Sequence, residues 1–217
     1  MTMARKLVAE ALGTGLLVAA VVGSGIMAQR LTPDTALALL ANSVATGAVL
    51  VVLITIFANL SGAHFNPLVT LVFTLRGEMH PALALAYVLA QGSGGLLGVL
   101  LAHAMFELPL LQIAATARSG TGQWIAEAVA SFGLVLAVLG ALRAKANVAV
   151  TVACYITAAY WFTASTSFAN PAVALARAFT DTFAGIRPDD LPAFVLAECA
   201  GALVAAGLGG WLFGRAA

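Results

Sequence analysis

Residues 61–70 read SGAHFNPLVT and residues 166–173 read TSFANPAV. Each stretch sets Asn-Pro, at Asn66-Pro67 and at Asn170-Pro171, before a short apolar piece, over about 66–75 and 170–180. Asn is a strong N-cap and Pro is favoured at the first helical position, so each dipeptide reads as a helix start. Ten helical residues reach roughly 15 Å, about half the hydrocarbon thickness of a bilayer. Apolar pieces of that length suit re-entrant elements, which must be buried in protein or line a cavity. A single Asn-Pro is an ordinary loop-to-helix turn; two in matching places point to a designed pair.

The rest of the chain supplies a membrane around them. Of its 217 residues 62% are hydrophobic and 9% are charged, where a soluble domain carries roughly a quarter. Six further apolar segments, about 7–28, 36–57, 82–105, 122–142, 147–164 and 192–213, have the length to span. The first follows Arg5 and Lys6 as a signal peptide would, but its length and its Glu10 favour a retained helix. Arg5, Lys6, Arg76, Arg143, Lys145 and Arg215 fall at one face, while Arg30, Arg118 and Arg187 share the other with most of the acids. That bias predicts both termini in the cytoplasm.

Other function classes find little support. The net charge of +1 and the lack of a basic, aromatic-interleaved patch argue against a nucleic-acid partner. Cys154 and Cys199 lie in apolar runs without metal-ligand spacing and read as small buried hydrophobes. No nucleophilic or metal-binding set converges in the spans, so neither an enzyme nor a cofactor is expected. His80, before Pro81, reads as a loop residue, and His103, near a span end, as interfacial.

The chain also repeats itself. Residues 9–25 read AEALGTGLLVAAVVGSG and residues 126–142 read AEAVASFGLVLAVLGAL. In each half an Ala-Glu span is followed by another span and then by a loop ending in Asn-Pro. With three spans per half, the second copy enters from the opposite side, and the site of such a repeat lies near the midplane. The prediction is one all-α membrane domain over 1–217, with inverted repeats of about 1–110 and 118–217. Two half-helices then meet end to end, focusing positive dipole potential that holds acceptors and repels cations.

With the stretches AEALGTG (9–15), SGAHFNPLVT (61–70), YVLAQGSGG (87–95), AEAVASFG (126–133) and TSFANPAV (166–173), the chain resembles the aquaporin and aquaglyceroporin family, the major intrinsic proteins. The resemblance implies six transmembrane helices plus two half-helices, one passive pore per subunit, a homotetramer, no cofactor and, for a bacterial member, the inner membrane. Asn66, Pro67, Leu68 and Asn170, Pro171, Ala172 match its paired pore motifs, with Leu68 where Ala is usual. Glu10 and Glu127 match buried glutamates that brace the loops; bracing is expected of them in preference to a proton relay. His64 matches a loop histidine, expected to brace backbone, with pore lining or pH gating as alternatives. Gln91 matches a polar site on the third span; Glu198 matches no role.

A larger departure follows the second motif. The family usually has Arg there, narrowing and charging the constriction; this chain has Val173. Family spacing puts the other constriction positions at Thr46, Ala158 and Ser167, all small and uncharged. The resemblance therefore implies a wide filter suited to glycerol-like polyols, urea or metalloid hydroxides (arsenous acid, methylated arsenicals) as well as water. Arg177, one turn beyond Val173, is expected to pair with Asp181 or with loop carbonyls, with the outer vestibule as its alternative place. The rival readings are a water-selective pore and a secondary transporter, the latter needing ionisable groups at the midplane.

Overall fold

In the computed structural model, which describes residues 2–214, the chain is helical, with no strand among the described residues. Arg215, counted above among the inner-face cations, lies outside them. The helices are α1 (Met3–Leu31), α2 (Thr35–Ser61), α3 (Pro67–Leu75), α4 (Pro81–Met105), α5 (Thr121–Arg143), α6 (Val148–Phe162), α7 (Pro171–Arg177) and α8 (Leu191–Phe213). Helices α1, α2, α4, α5 and α8 are long and apolar enough to cross a bilayer. The apolar segment over 147–164 yields only the 15 residues of α6, which reach roughly 22 Å. Thr163 cuts it short, its N–H and Oγ1 both bonding the Ala159 carbonyl before the chain turns toward α7.

Local chemistry sets the starts. Asp34 accepts from Ala36 N–H at 2.8 Å and Leu37 N–H at 3.1 Å to cap α2. His80 Nδ1 accepts from Ala82 N–H at 3.2 Å ahead of Pro81, so this loop histidine is also the cap of α4. Asn147 caps α6 through Val150 N–H at 3.1 Å.

The order of helix, helix, short helix and helix occurs in α1–α4 and again in α5–α8. Helix α1 packs on α4 and α2, α5 packs on α8 and α6, and α2 against α6 joins the two groups. The short helices cross over: α7 lies on α4 and α1, and α3 touches α8 and α5. Arg143 Nε donates to the Phe213 carbonyl, which sets the ends of α5 and α8 side by side on the face that carries both described chain ends. At the far face Arg30 donates to the Phe106 carbonyl, joining the ends of α1 and α4.

Outward positions are apolar at mid-helix: Leu89 is 65% exposed and Leu196 71%, a pattern only a hydrocarbon solvent tolerates so widely. Cys154 likewise faces outward and Cys199 is half-buried, contrary to the buried setting read from sequence. Lipid is as apolar as a protein core, so an apolar run does not say which of the two surrounds it. His103 departs in the opposite direction. It is fully buried, with Nδ1 on the Leu110 carbonyl at 2.9 Å and Nε2 on Thr180 Oγ1 at 2.8 Å, pinning the far-face loops to α4.

Inside, small residues let helices touch. A Cβ on Gly94 would run into the Ala11 carbonyl of α1, and one on Gly201 into the Ala128 carbonyl of α5. Without a hydrophobic drive between helices in lipid, such close backbone contact is what holds them. Gly94→Leu or Gly201→Leu should therefore destabilise by about 1–3 kcal/mol or more through overpacking. Thermal unfolding in detergent followed by circular dichroism measures this. Gly207→Leu, at a position of α8 with nothing within 4 Å, should leave the transition in place.

Candidate functional site

The two Asn-Pro dipeptides begin α3 and α7. Asn66 Oδ1 accepts from Leu68 N–H at 2.8 Å; Asn170 Oδ1 accepts from Ala172 N–H at 3.1 Å and Val173 N–H at 3.3 Å. Each side-chain amide then reaches across to the other half. Asn66 Nδ2 donates to the Ala169 carbonyl at 2.7 Å, and Asn170 Nδ2 donates to the Phe65 carbonyl at 2.8 Å. The short helices thus meet N-terminus to N-terminus, and one hydrogen of each amide is committed to the joint. The second hydrogen of each is left for the cavity that both residues line.

The loops before them are irregular. Ala63, Phe65, Thr166, Ser167 and Ala169 all have φ between 47° and 64°, the left-handed region. For a residue with a Cβ that costs about 1–2 kcal/mol each. Buried carboxylates oppose the cost. Glu10 accepts from His64 N–H at 3.0 Å and Ser61 Oγ at 2.5 Å through Oε1, and from Phe65 N–H at 2.7 Å through Oε2. Glu127 accepts from Phe168 N–H at 2.9 Å and Ala169 N–H at 2.8 Å. With the N–H groups turned to the helices, the Phe65 and Ala169 carbonyls are free to take the asparagines.

Glu198, which the sequence leaves without a role, belongs to this set. Its Oε1 accepts from Asn170 N–H at 3.0 Å, and its carboxyl faces Glu127. Gln91 holds the corresponding place in the first half, donating to Glu10 at 2.8 Å and Thr70 Oγ1 at 3.0 Å. A signal existed: Gln91 precedes Gly94, Gly95 and Gly98 at the spacing with which Glu198 precedes Gly201, Ala202 and Ala205.

A cavity of about 300 Å³ runs past the joint. Along α2 its wall extends from Thr46 to the loop at Gly62, a rise of roughly 24 Å and most of a hydrocarbon core. Its wall is largely aliphatic, with Leu17, Leu50, Ile54, Val138 and Val152 among the lining side chains. Polar groups come from Asn66, Asn170, His64, Thr46, Ser167 and Tyr160, and no carboxylate lines it among the described residues. His64 is itself braced, and its ring Nδ1 lies 3.1 Å from Thr70 Oγ1. Its N–H is held by Glu10, while its ring stacks on Phe73 at 5.0 Å and borders the cavity. Leu68 points away, into the apolar cluster with Val72, Val135 and Ala202.

The structure corrects the far-face constriction. Thr46, Ser167 and Val173 line the cavity, but Ala158 is exposed on the outer side of α6. Val148, Val152, Ile156 and Tyr160 form the inner stripe at a spacing of four, and a residue two places away points oppositely on a 3.6-residue helix. Tyr160 takes the place assigned to Ala158, with its hydroxyl 3.2 Å from Thr46 Oγ1. Arg177 also borders the cavity and bonds the Ala184 carbonyl, while Asp181 takes the Ala115 N–H at 3.0 Å instead of pairing with it. The far-face end of the cavity is therefore not lined by small side chains alone.

Comparison with known proteins bears on this arrangement. A family model described as Major intrinsic protein matches residues 1–148. The chain is 61% identical over 211 residues to Aquaglyceroporin AqpS of Rhizobium meliloti (strain 1021), covering 97% of this chain and 91% of that protein. It is 35% identical over 95 residues to Aquaporin Z of Photorhabdus laumondii, covering 44% of this chain and 41% of that one. The solved aquaglyceroporin from Plasmodium falciparum superposes with a TM-score of 0.74 at 20% identity over 95% of each chain, a likeness of fold.

The bracing geometry predicts how Glu198 variants behave. Glu198→Ala orphans the buried Asn170 N–H and should cost about 1–3 kcal/mol. Glu198→Gln keeps an acceptor and adds the donor that Gln91 supplies in the other half, so it should unfold at or near the wild-type temperature in detergent. Equal melting of the alanine variant and the unmodified protein would show that this brace is dispensable.

Proposed function

The chain belongs to the major intrinsic protein family, whose members are membrane channels and not enzymes, and on that premise we propose how its pore selects. It is a passive pathway for small uncharged solutes: water, glycerol-like polyols, urea, and metalloid hydroxides such as arsenous acid and methylated arsenicals. The observation that carries this reading is the one long, mostly aliphatic cavity that passes the Asn66–Asn170 joint and has Val173 in its wall. An apolar wall with a few hydroxyl and amide groups suits solutes with both apolar and hydrogen-bonding surface. The aquaglyceroporin name of the relative that matches along nearly its whole length supports the same solute class.

In this reading Asn66, Pro67, Leu68, Asn170, Pro171 and Ala172 form the pore centre. Thr46, Tyr160, Ser167 and Val173 form the outer filter. Glu10, Glu127, Glu198 and His64 hold the loops, and the two four-helix groups are inverted repeats of one domain. The charge bias puts both termini in the cytoplasm of a bacterial inner membrane, and the family resemblance supports a homotetramer with one pore per subunit. The absence of a carboxylate from the cavity wall, among the described residues, weighs against proton- or sodium-coupled transport.

A second reading, a water-selective pore, draws on Tyr160, whose ring occupies space the sequence leaves open. Stopped-flow light scattering of proteoliposomes separates the two. Water, glycerol, urea and arsenous acid should all cross the unmodified channel, whereas water flux alone would support the second reading. Val173→Arg should cut glycerol flux by about tenfold or more while sparing water, since a filter's width and donors decide passage. Equal loss of both fluxes, or of neither, would contradict a filter centred on Val173.

A further inference from the structure

Arg177 ends α7, one turn past Val173 on the same helical face. It is 2% exposed, yet it borders two spaces at the far-face end: the central cavity and a second one beside Asn42, Trp161 and Arg118. The buried carboxyls of Glu127 and Glu198 lie near enough to act on its charge, but neither touches it. Among the described residues Arg177 forms no ion pair, and Nε is the guanidinium nitrogen with a protein acceptor, the Ala184 carbonyl. The two terminal nitrogens, which carry most of the donors, have no protein partner among the described residues.

The guanidinium is also held still. Its carbon lies 3.3 Å from the centroid of the Phe168 ring, itself part of the cavity wall. A second guanidinium, that of Arg118, sits over the same ring at 5.0 Å. Each guanidinium nitrogen of Arg118 is engaged, donating to the carbonyls of Gly185 at 2.8 Å, Ser165 at 3.3 Å and Phe183 at 3.3 Å. Arg118 therefore adds positive potential with each guanidinium nitrogen already bonded once, whereas both terminal nitrogens of Arg177 keep all their donors.

We propose that Arg177 is the charge filter of this pore, set one turn outward from Val173. The assignment rests on the channel reading above and adds the residue that sorts solutes by charge. A fixed guanidinium against a low-dielectric wall repels a cation that must pass close to it. A neutral solute meets an open donor fork, which takes the place of part of its lost hydration. The valine-lined filter next to it can then vary in width without admitting ions, because size and charge are sorted at successive turns of α7.

Urea and guanidinium, planar and of nearly equal size, differ mainly in charge and make the test. In proteoliposomes the unmodified channel should pass urea at least about tenfold faster than guanidinium, and Arg177→Gln should raise guanidinium and potassium flux at least about tenfold, the scale of losing one nearby charge. Urea flux should fall no more than partly in the glutamine variant, whose amide keeps one donor group, so the readout is the ratio of guanidinium to urea flux within each variant. Arg177→Lys, which keeps the charge, should stay cation-tight, and adding Val173→Arg to Arg177→Gln should restore exclusion. A cation-tight Arg177→Gln channel that still passes urea overturns the proposal, as does a lysine variant that leaks like the glutamine one. Equal urea and guanidinium flux through the unmodified protein also overturns it, with no dependence on any variant folding. Absence of urea flux from the unmodified protein would instead count against the proposed function itself.

Discussion

Backbone N–H groups at the depth of a bilayer have no water to turn to, and two loops of this chain place several of them there. Glu10, Glu127 and Glu198 accept from five of these groups, on residues 64, 65, 168, 169 and 170. An unpaired group in hydrocarbon costs several kcal/mol, so without the carboxylates the loops could not hold their left-handed turns. Those turns in turn aim the Phe65 and Ala169 carbonyls at the opposite asparagines. The joint between the half-helices thus depends on three carboxylates, on helices α1, α5 and α8, that stand behind the cavity wall and do not line it.

The same arrangement separates permeation from stability. The carboxylates that brace the loops lie outside the cavity wall, while His64, Tyr160 and Arg177 lie in it. Of the side chains that line the cavity, Asn66 and Asn170 alone make the joint, so the proposed outer filter can change residue by residue without touching it. Thr46, Tyr160, Ser167 and Val173 come from α2, α6, the second loop and α7, each replaceable without loss of a brace. Tyr160 is one such side chain: its phenol reaches Thr46 across the space between α6 and α2 and bonds no loop group.

The far-face loops carry more of the structure than their composition suggests. His103 ties two of them to α4, Arg118 spans three carbonyls, and Asp190 accepts from Arg118 N–H and from Arg187. Arg30 is bound as well, to the Phe106 carbonyl. Arginines that count as scattered outer-loop charges in a topology argument are, in the folded chain, cross-links between loops.

The sequence by itself determined the helical membrane class, the six apolar segments, the two half-helices and the pairing of Asn66 with Asn170. These follow from local chemistry: segment length, capping preference and a repeat that survives in the residues. It also marked Glu10 and Glu127, because the same Ala-Glu opens the first span of each repeat. Only the tertiary structure decided which side of α6 faces inward, replacing Ala158 by Tyr160, since a short helix apolar all round carries no periodic mark of its inner face. It also decided that Glu198 works with Glu127, that His103 is buried, and that Arg177 turns from Asp181 to the cavity. Each of these depends on how residues far apart in the chain come together, and that is set by helix packing, which no single segment records.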